Sequence, residues 1–117
     1  MNKKLVLVVD DSAFMRKMIS DIVHSSADLE VIGTARNGED ALRKVMELKP
    51  DVITLDVEMP LMDGISTLKE IMKKRPTPVV MLSSLTKSGA DKTIEAMSYG
   101  AVDFIAKPSG SISLNIR

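Results

Sequence analysis

Four places in this sequence put reactive polar groups directly after an apolar run. Asp10-Asp11 follow residues 5–9, Asp56 follows 52–55, Ser83-Ser84 follow 78–82, and the run 101–105 leads through Ala106 to Lys107. If those runs are parallel neighbours, three carboxylates, a hydroxyl and an ammonium meet at one edge. Carboxylates packed together repel unless a cation neutralises them. The chain has no cysteine, and its lone histidine, His24, lies at the far end of the first helical pattern. Oxygen-only ligands favour a hard ion such as Mg²⁺, which keeps several waters and leaves room for a phosphate oxygen. Asp56 is then the nucleophile, because a carboxylate can carry a phosphoryl group as a covalent intermediate. The metal offsets phosphoryl charge during in-line transfer. Lys107 supplies a compact positive charge and Ser83 a hydroxyl for the phosphoryl oxygens.

Taken singly, each residue has a plainer role. An Asp after a strand often caps the next helix, and Asp56 before Met59-Pro60 and Asp63-Gly64 suits a turn. Ser83 alone is a loop hydroxyl, and a lysine before proline is commonly solvated. Their joint placement at equivalent strand ends is what favours a site. His24 reads as a complement to the negative end of a helix dipole rather than as a phosphorelay histidine. Most of the nine methionines read as core filler or capping surface. Phe104, near Lys107 on a strand edge, reads as either core or a movable aromatic.

The elements that must position these groups are legible as five short apolar runs alternating with helical stripes. Residues 5–9, 29–34, 52–55, 78–82 and 101–105 read as strands. The stripes are Met15, Ile19, Ile22 and Val23; Ala41, Leu42, Val45 and Leu48; Ile65, Leu68, Ile71 and Met72; and Ala90, Ile94 and Met97. Ser12 is placed to cap the first helix, Pro50 to end the second, and Gly100 to sit just past the fourth. Strict alternation implies an α/β fold with a parallel sheet covered on both faces. The expected architecture is a flavodoxin-like, doubly wound, five-stranded sheet of order 2-1-3-4-5, in which ligands bind beyond the carboxyl ends of the strands. After Lys107-Pro108 the chain reads Ser-Gly-Ser-Ile-Ser-Leu-Asn-Ile-Arg, so a fifth helix is expected to be missing or truncated. Uncovered apolar positions such as Val102 and Ile105 would then face water or be covered by a tail running from Ile112 to Ile116.

The 117 residues suffice for one domain, and 44% hydrophobic content builds a core without disulfides. Sixteen basic and sixteen acidic residues cancel, which gives no electrostatic footprint for nucleic acid. The first apolar run is too short for a signal segment and meets acid at once, so a cytoplasmic domain without membrane insertion is expected. No Gly-x-Gly-x-x-Gly or Walker A loop is present.

The motifs VVDDS, TLDVEMPLMDG, MLSS and DFIAKP, in this order and spacing, resemble the receiver domains of two-component response regulators over nearly the whole chain. The resemblance implies that Asp11, Asp56 and the backbone carbonyl of Glu58 ligate Mg²⁺, with Asp10 acting through water. It implies that Ser83 and Phe104 rearrange on phosphorylation, and that Lys107-Pro108 is a cis peptide aiming the lysine. The stretch from Val79 to Leu114 looks like the receiver half of the chemotaxis protein-glutamate methylesterases. That likeness implies a chemotaxis-type histidine kinase as phosphodonor. It also implies that residues 1–117 are the N-terminal receiver of a longer protein with a C-terminal methylesterase domain. The chain itself would catalyse only its own phosphorylation and dephosphorylation. The alternatives are a single-domain chemotaxis receiver acting by protein binding, or a haloacid-dehalogenase-type phosphatase. The latter needs Asp-x-Asp after its first strand, where this chain has Asp-Asp-Ser.

Overall fold

The computed structural model describes residues 2–59, 62–84 and 86–108. The elements run β1 (Lys4–Val9), α1 (Ala13–His24), β2 (Leu29–Ala35), α2 (Gly38–Leu48), β3 (Val52–Asp56), α3 (Gly64–Lys74), β4 (Val79–Ser83), α4 (Lys87–Ser98) and β5 (Asp103–Ala106). All strand pairs are parallel and the order is β2-β1-β3-β4-β5, as expected from the alternation. The strands are consistent with a sheet buried on both faces: Leu7, Val8, Val9, Ile53 and Leu55 have no exposed surface.

The two faces are covered unequally. Leu7, Val9, Leu55 and Met81 pack with Ala41 and Val45 of α2, Leu68 and Ile71 of α3, and Ala96 of α4. Val6, Val8 and Leu82 face the other way, against Ile19 and Val23 of α1. Along β5 every residue is exposed, and Val102 just before it is exposed as well. Among the described residues no helix follows β5, and the segment from Ile112 to Ile116 lies outside them.

The helix ends follow the local chemistry. The Ser12 hydroxyl accepts the N–H of Met15, and Asn37, Asp63 and Thr86 cap α2, α3 and α4 in the same way. Pro50 lies just beyond Lys49, which takes a left-handed conformation to close α2. Gly100 follows α4 with φ of 108°, a conformation suited to glycine.

Three expected stripes need correction, the first on α2, where Leu48 is exposed while Ala41 and Val45 are buried. Ile22 on α1 is exposed while Ile19 and Val23 are buried. On α4 the buried positions are Gly89, Thr93 and Ala96, whereas Ala90, Ile94 and Met97 face outward. The reason is close packing. A Cβ at Gly89 would stand 2.7 Å from the Ser83 hydroxyl oxygen, so only small residues fit where α4 begins against β4. His24 lies in the last turn of α1, at the helix end where it was expected. Its Nε2 accepts the N–H of Val31 at 3.2 Å, tying the end of α1 to β2.

Candidate functional site

β3 and β4 each run one residue further than the apolar pattern, so Asp56 and Ser83 are the last residues of their strands. Asp10 follows β1 directly, and Lys107 follows β5, its N–H donating to the Ser83 carbonyl at 2.9 Å. Strand ends at one sheet edge therefore deliver the groups that the spacing singled out.

Asp10 and Asp56 are fully buried, while Asp11 is exposed at the mouth. One carboxylate oxygen from each of the three lies within 4.8 Å of the others. The Lys107 ammonium is 2.9 Å from Asp56 Oδ1 and 3.9 Å from Asp10 Oδ2. Backbone amides hold the carboxylates in place. Glu58 N–H donates to Asp56 Oδ1 at 3.1 Å, and Ser12 N–H donates to Asp10 Oδ1 at 3.0 Å. The second oxygens, Asp10 Oδ2 and Asp56 Oδ2, are buried without a hydrogen-bond partner. Buried polar atoms are normally satisfied, so a pair of free oxygens beside a third carboxylate fits a hard cation.

The electrostatics carry the same message. Burial raises the Asp56 carboxyl to about 6, against the lowering effect of its hydrogen bond from Lys107. Burial also raises Asp10, opposed by the Ser12 N–H and Lys107. Burial alone would lower Lys107, but the hydrogen bond and charge of Asp56, together with the charges of Asp10 and Asp11, make the net direction up. One ammonium among three carboxylates leaves the site short of positive charge.

Neither Ser83 nor Phe104 makes a side-chain hydrogen bond to the carboxylates. The Ser83 hydroxyl donates to the Ser84 carbonyl at 3.0 Å. It also lines, with Phe104, Ile94 and Ala90, a mostly apolar cavity of about 380 Å³ between α4 and β5. Phe104 is half exposed there rather than core. The expected cis bond at Lys107-Pro108 is not found, because no peptide among the described residues is cis. With the trans bond Lys107 still reaches Asp56, its backbone held by Ser83.

Three contributors gained a role that the sequence did not assign them. Arg16 donates a guanidinium N–H to the Asp10 carbonyl at 2.9 Å. The Ser84 hydroxyl donates to Glu58 Oε1 at 3.0 Å, across 26 positions of sequence. Gly64 backs directly onto the Asp56 carbonyl. A signal existed only for Ser84, in the run of hydroxyl residues after β4.

The comparisons with known proteins agree with this geometry. Residues 6–116 match the response regulator receiver domain family. The chain is 64% identical over 117 residues to a protein-glutamate methylesterase/protein-glutamine glutaminase of Oceanobacillus iheyensis, covering 100% of this chain and 33% of that protein. It thus spans about a third of the length of the curated relatives it matches. The crystal structure of the response regulator domain of Thermotoga maritima CheB superposes with TM-score 0.86 at 59% identity, covering 99% of this chain and 87% of that one. A chain of the CheX-CheY-BeF3-Mg+2 complex from Borrelia burgdorferi superposes with TM-score 0.82 at 35% identity, covering 98% and 86%. Fold, acidic pocket and sequence likeness together place this chain in the response regulator receiver domain family, with its likeness to the receivers of protein-glutamate methylesterases.

Proposed function

We propose that this domain accepts a phosphoryl group on Asp56 and thereby controls an output domain. The observation that carries the reading is the asymmetry of the Asp56 carboxylate. Oδ1 is held by Lys107 and the Glu58 N–H, whereas Oδ2 has no protein partner and would be the oxygen that bonds to phosphorus, leaving the Oδ1 side to the cation. Asp56 Oδ2 forms the new O–P bond as the bond from phosphorus to the donor breaks, and the leaving group keeps that electron pair. Lys107 stands where it can pair with a phosphoryl oxygen, and the Ser83 hydroxyl is free to turn from the Ser84 carbonyl toward another. Mg²⁺, when bound, would neutralise the charge gathered on the phosphoryl oxygens. Asp11, Asp56 and the Glu58 carbonyl would hold it, with Asp10 contributing through water.

The phosphodonor is a chemotaxis-type histidine kinase, and the controlled domain is a C-terminal methylesterase. Support for this comes from relatives of that description that are about three times as long as this chain. The protein would act in the cytoplasm, and no helix among the described residues is long and apolar enough to cross a membrane. A domain acting alone through protein contacts is the second reading, favoured by the exposed apolar cavity beside Phe104.

Incubation with acetyl phosphate and Mg²⁺, followed by intact-mass measurement, tests the proposal. A receiver gains one labile phosphoryl group, a phosphatase turns over its substrate, and a plain binding module does neither. A second measurement addresses the metal. Asp11→Ala is expected to weaken Mg²⁺ binding about tenfold or more, while Ser83→Ala leaves it close to wild type. Equal affinity in wild type and Asp11→Ala would remove Asp11 from the ligand set.

A further inference from the structure

Glu58, Ser84 and Thr86 form a hydrogen-bonded line that leads away from the acidic pocket. Ser84 Oγ lies 3.0 Å from Glu58 Oε1 and 3.1 Å from Thr86 Oγ1. Thr86 Oγ1 in turn accepts the N–H of Gly89, in the first turn of α4, at 3.0 Å. The direction of this line is set by chemistry. An ionised carboxylate only accepts, and a serine hydroxyl carries one proton. Ser84 therefore donates to Glu58, and Thr86 must donate to Ser84. The Thr86 oxygen is left to accept from Gly89. Every proton points toward the Glu58 carboxylate, and each bond polarises the next.

Both ends of the line are mechanically coupled to their surroundings. Glu58 lies two residues after Asp56 and its N–H holds Asp56 Oδ1. At the far end, a Cβ on Gly89 would come within 2.7 Å of the Ser83 hydroxyl oxygen and of the Ser84 carbonyl. The start of α4 thus approaches Ser83 and Ser84 closely, and both serines also line the cavity beside Phe104.

We propose that Ser84 is a positioning residue. Through Glu58 and Thr86 it locks the first turn of α4 to the phosphoryl site. Charge arriving at Asp56 redirects Glu58, breaks the line and frees α4 beside the cavity. What loads the site rests on the phosphoacceptor reading above; the resting lock does not.

The test is amide hydrogen exchange at Gly89 in the 117-residue chain, without metal, in wild type, Ser84→Ala, Ser84→Thr, Glu58→Ala and the Ser84→Ala/Glu58→Ala double variant. Losing a charge-assisted hydrogen bond should speed Gly89 exchange about tenfold in either alanine variant. The double variant should be no faster than the singles, because both break one line, and Ser84→Thr should restore protection. Additive single effects, or wild-type exchange in Ser84→Ala, would overturn the lock. Mg²⁺ with beryllofluoride is then added. Wild type and Ser84→Thr should show a Gly89 shift that Ser84→Ala lacks. The fluorine signal of bound beryllofluoride separates the two readings. Bound mimic with an unmoved Gly89 in wild type rejects the transmission. No bound signal in any variant rejects the phosphoacceptor reading, while the metal-free exchange still decides the lock.

Discussion

Asp56→Asn is expected to abolish phosphoryl incorporation and, in metal-free solution, to melt at a higher temperature than wild type above neutral pH. The first effect follows because Asp56 is the carboxylate that ends central strand β3, with an oxygen that has no hydrogen-bond partner. An amide keeps the shape and loses the nucleophile. The second effect follows from linkage. The folded carboxyl is raised to about 6 from an ordinary value of 3.8, chiefly by burial. A raised carboxyl pKa means that its stabilising contribution is fully present below pH 3.8 and is lost as pH rises through 6. Burial favours the neutral carboxyl in the folded chain, and this sets the direction of the effect. The Asn variant lacks this dependence, and the raised value already contains the opposing pull of Lys107. A net rise of several degrees is expected above pH 7, with the two melting curves converging below about pH 4. Thermal melts across that range in a metal chelator measure it. Parallel curves at every pH would show that burial of Asp56 has no energetic consequence, and full phosphorylation of the variant would reject the nucleophile.

Gly64→Ala should be the most damaging single-methyl addition near the site. A Cβ there would overlap the Asp56 carbonyl oxygen outright and lie 2.8 Å from Val57 Cα and 2.9 Å from the Val57 carbonyl oxygen. All three neighbours are backbone, so no side-chain rotation relieves the clash. The Gly64 N–H also donates to the Val57 carbonyl at 3.1 Å, which pins α3 to the end of β3. Displacing either segment costs about 3 kcal/mol or more and lowers the melting temperature by roughly 10 °C. Because the displaced backbone carries Asp56, Mg²⁺ affinity should fall with stability. Gly100→Ala is the informative contrast. Its left-handed φ strains alanine, but Met72 stands 3.5 Å away and leaves room, so about 1 kcal/mol is expected. Equal melting of the two variants would show that close approach at Gly64 is not limiting.

Much of the site was legible because strand ends are simple to read. A run such as 52–55 stops at the first charged residue, and a parallel sheet brings all such stops to one edge. That logic gathers Asp10, Asp56 and Lys107, and the structure brings these together. It does not tell which oxygen of each carboxylate is left without a partner. Oδ2 of Asp10 and Asp56 became free only because the Ser12 and Glu58 amides turned toward Oδ1, a consequence of the loop backbone.

By itself, then, the sequence determined the alternation of elements, the capping at Ser12 and Gly100, and the residue types at the sheet edge. These depend on local preference and on period, which each segment carries within itself. Tertiary structure decided the buried side of α4. Hydropathy selects Ile94 and Met97, yet the helix meets β4 through Gly89, Thr93 and Ala96, since small residues let the backbones approach. It also decided the pairing of Glu58 with Ser84 and the seat of Gly64 behind Asp56. Such contacts join distant segments, so only packing the helices onto the sheet brings them into being.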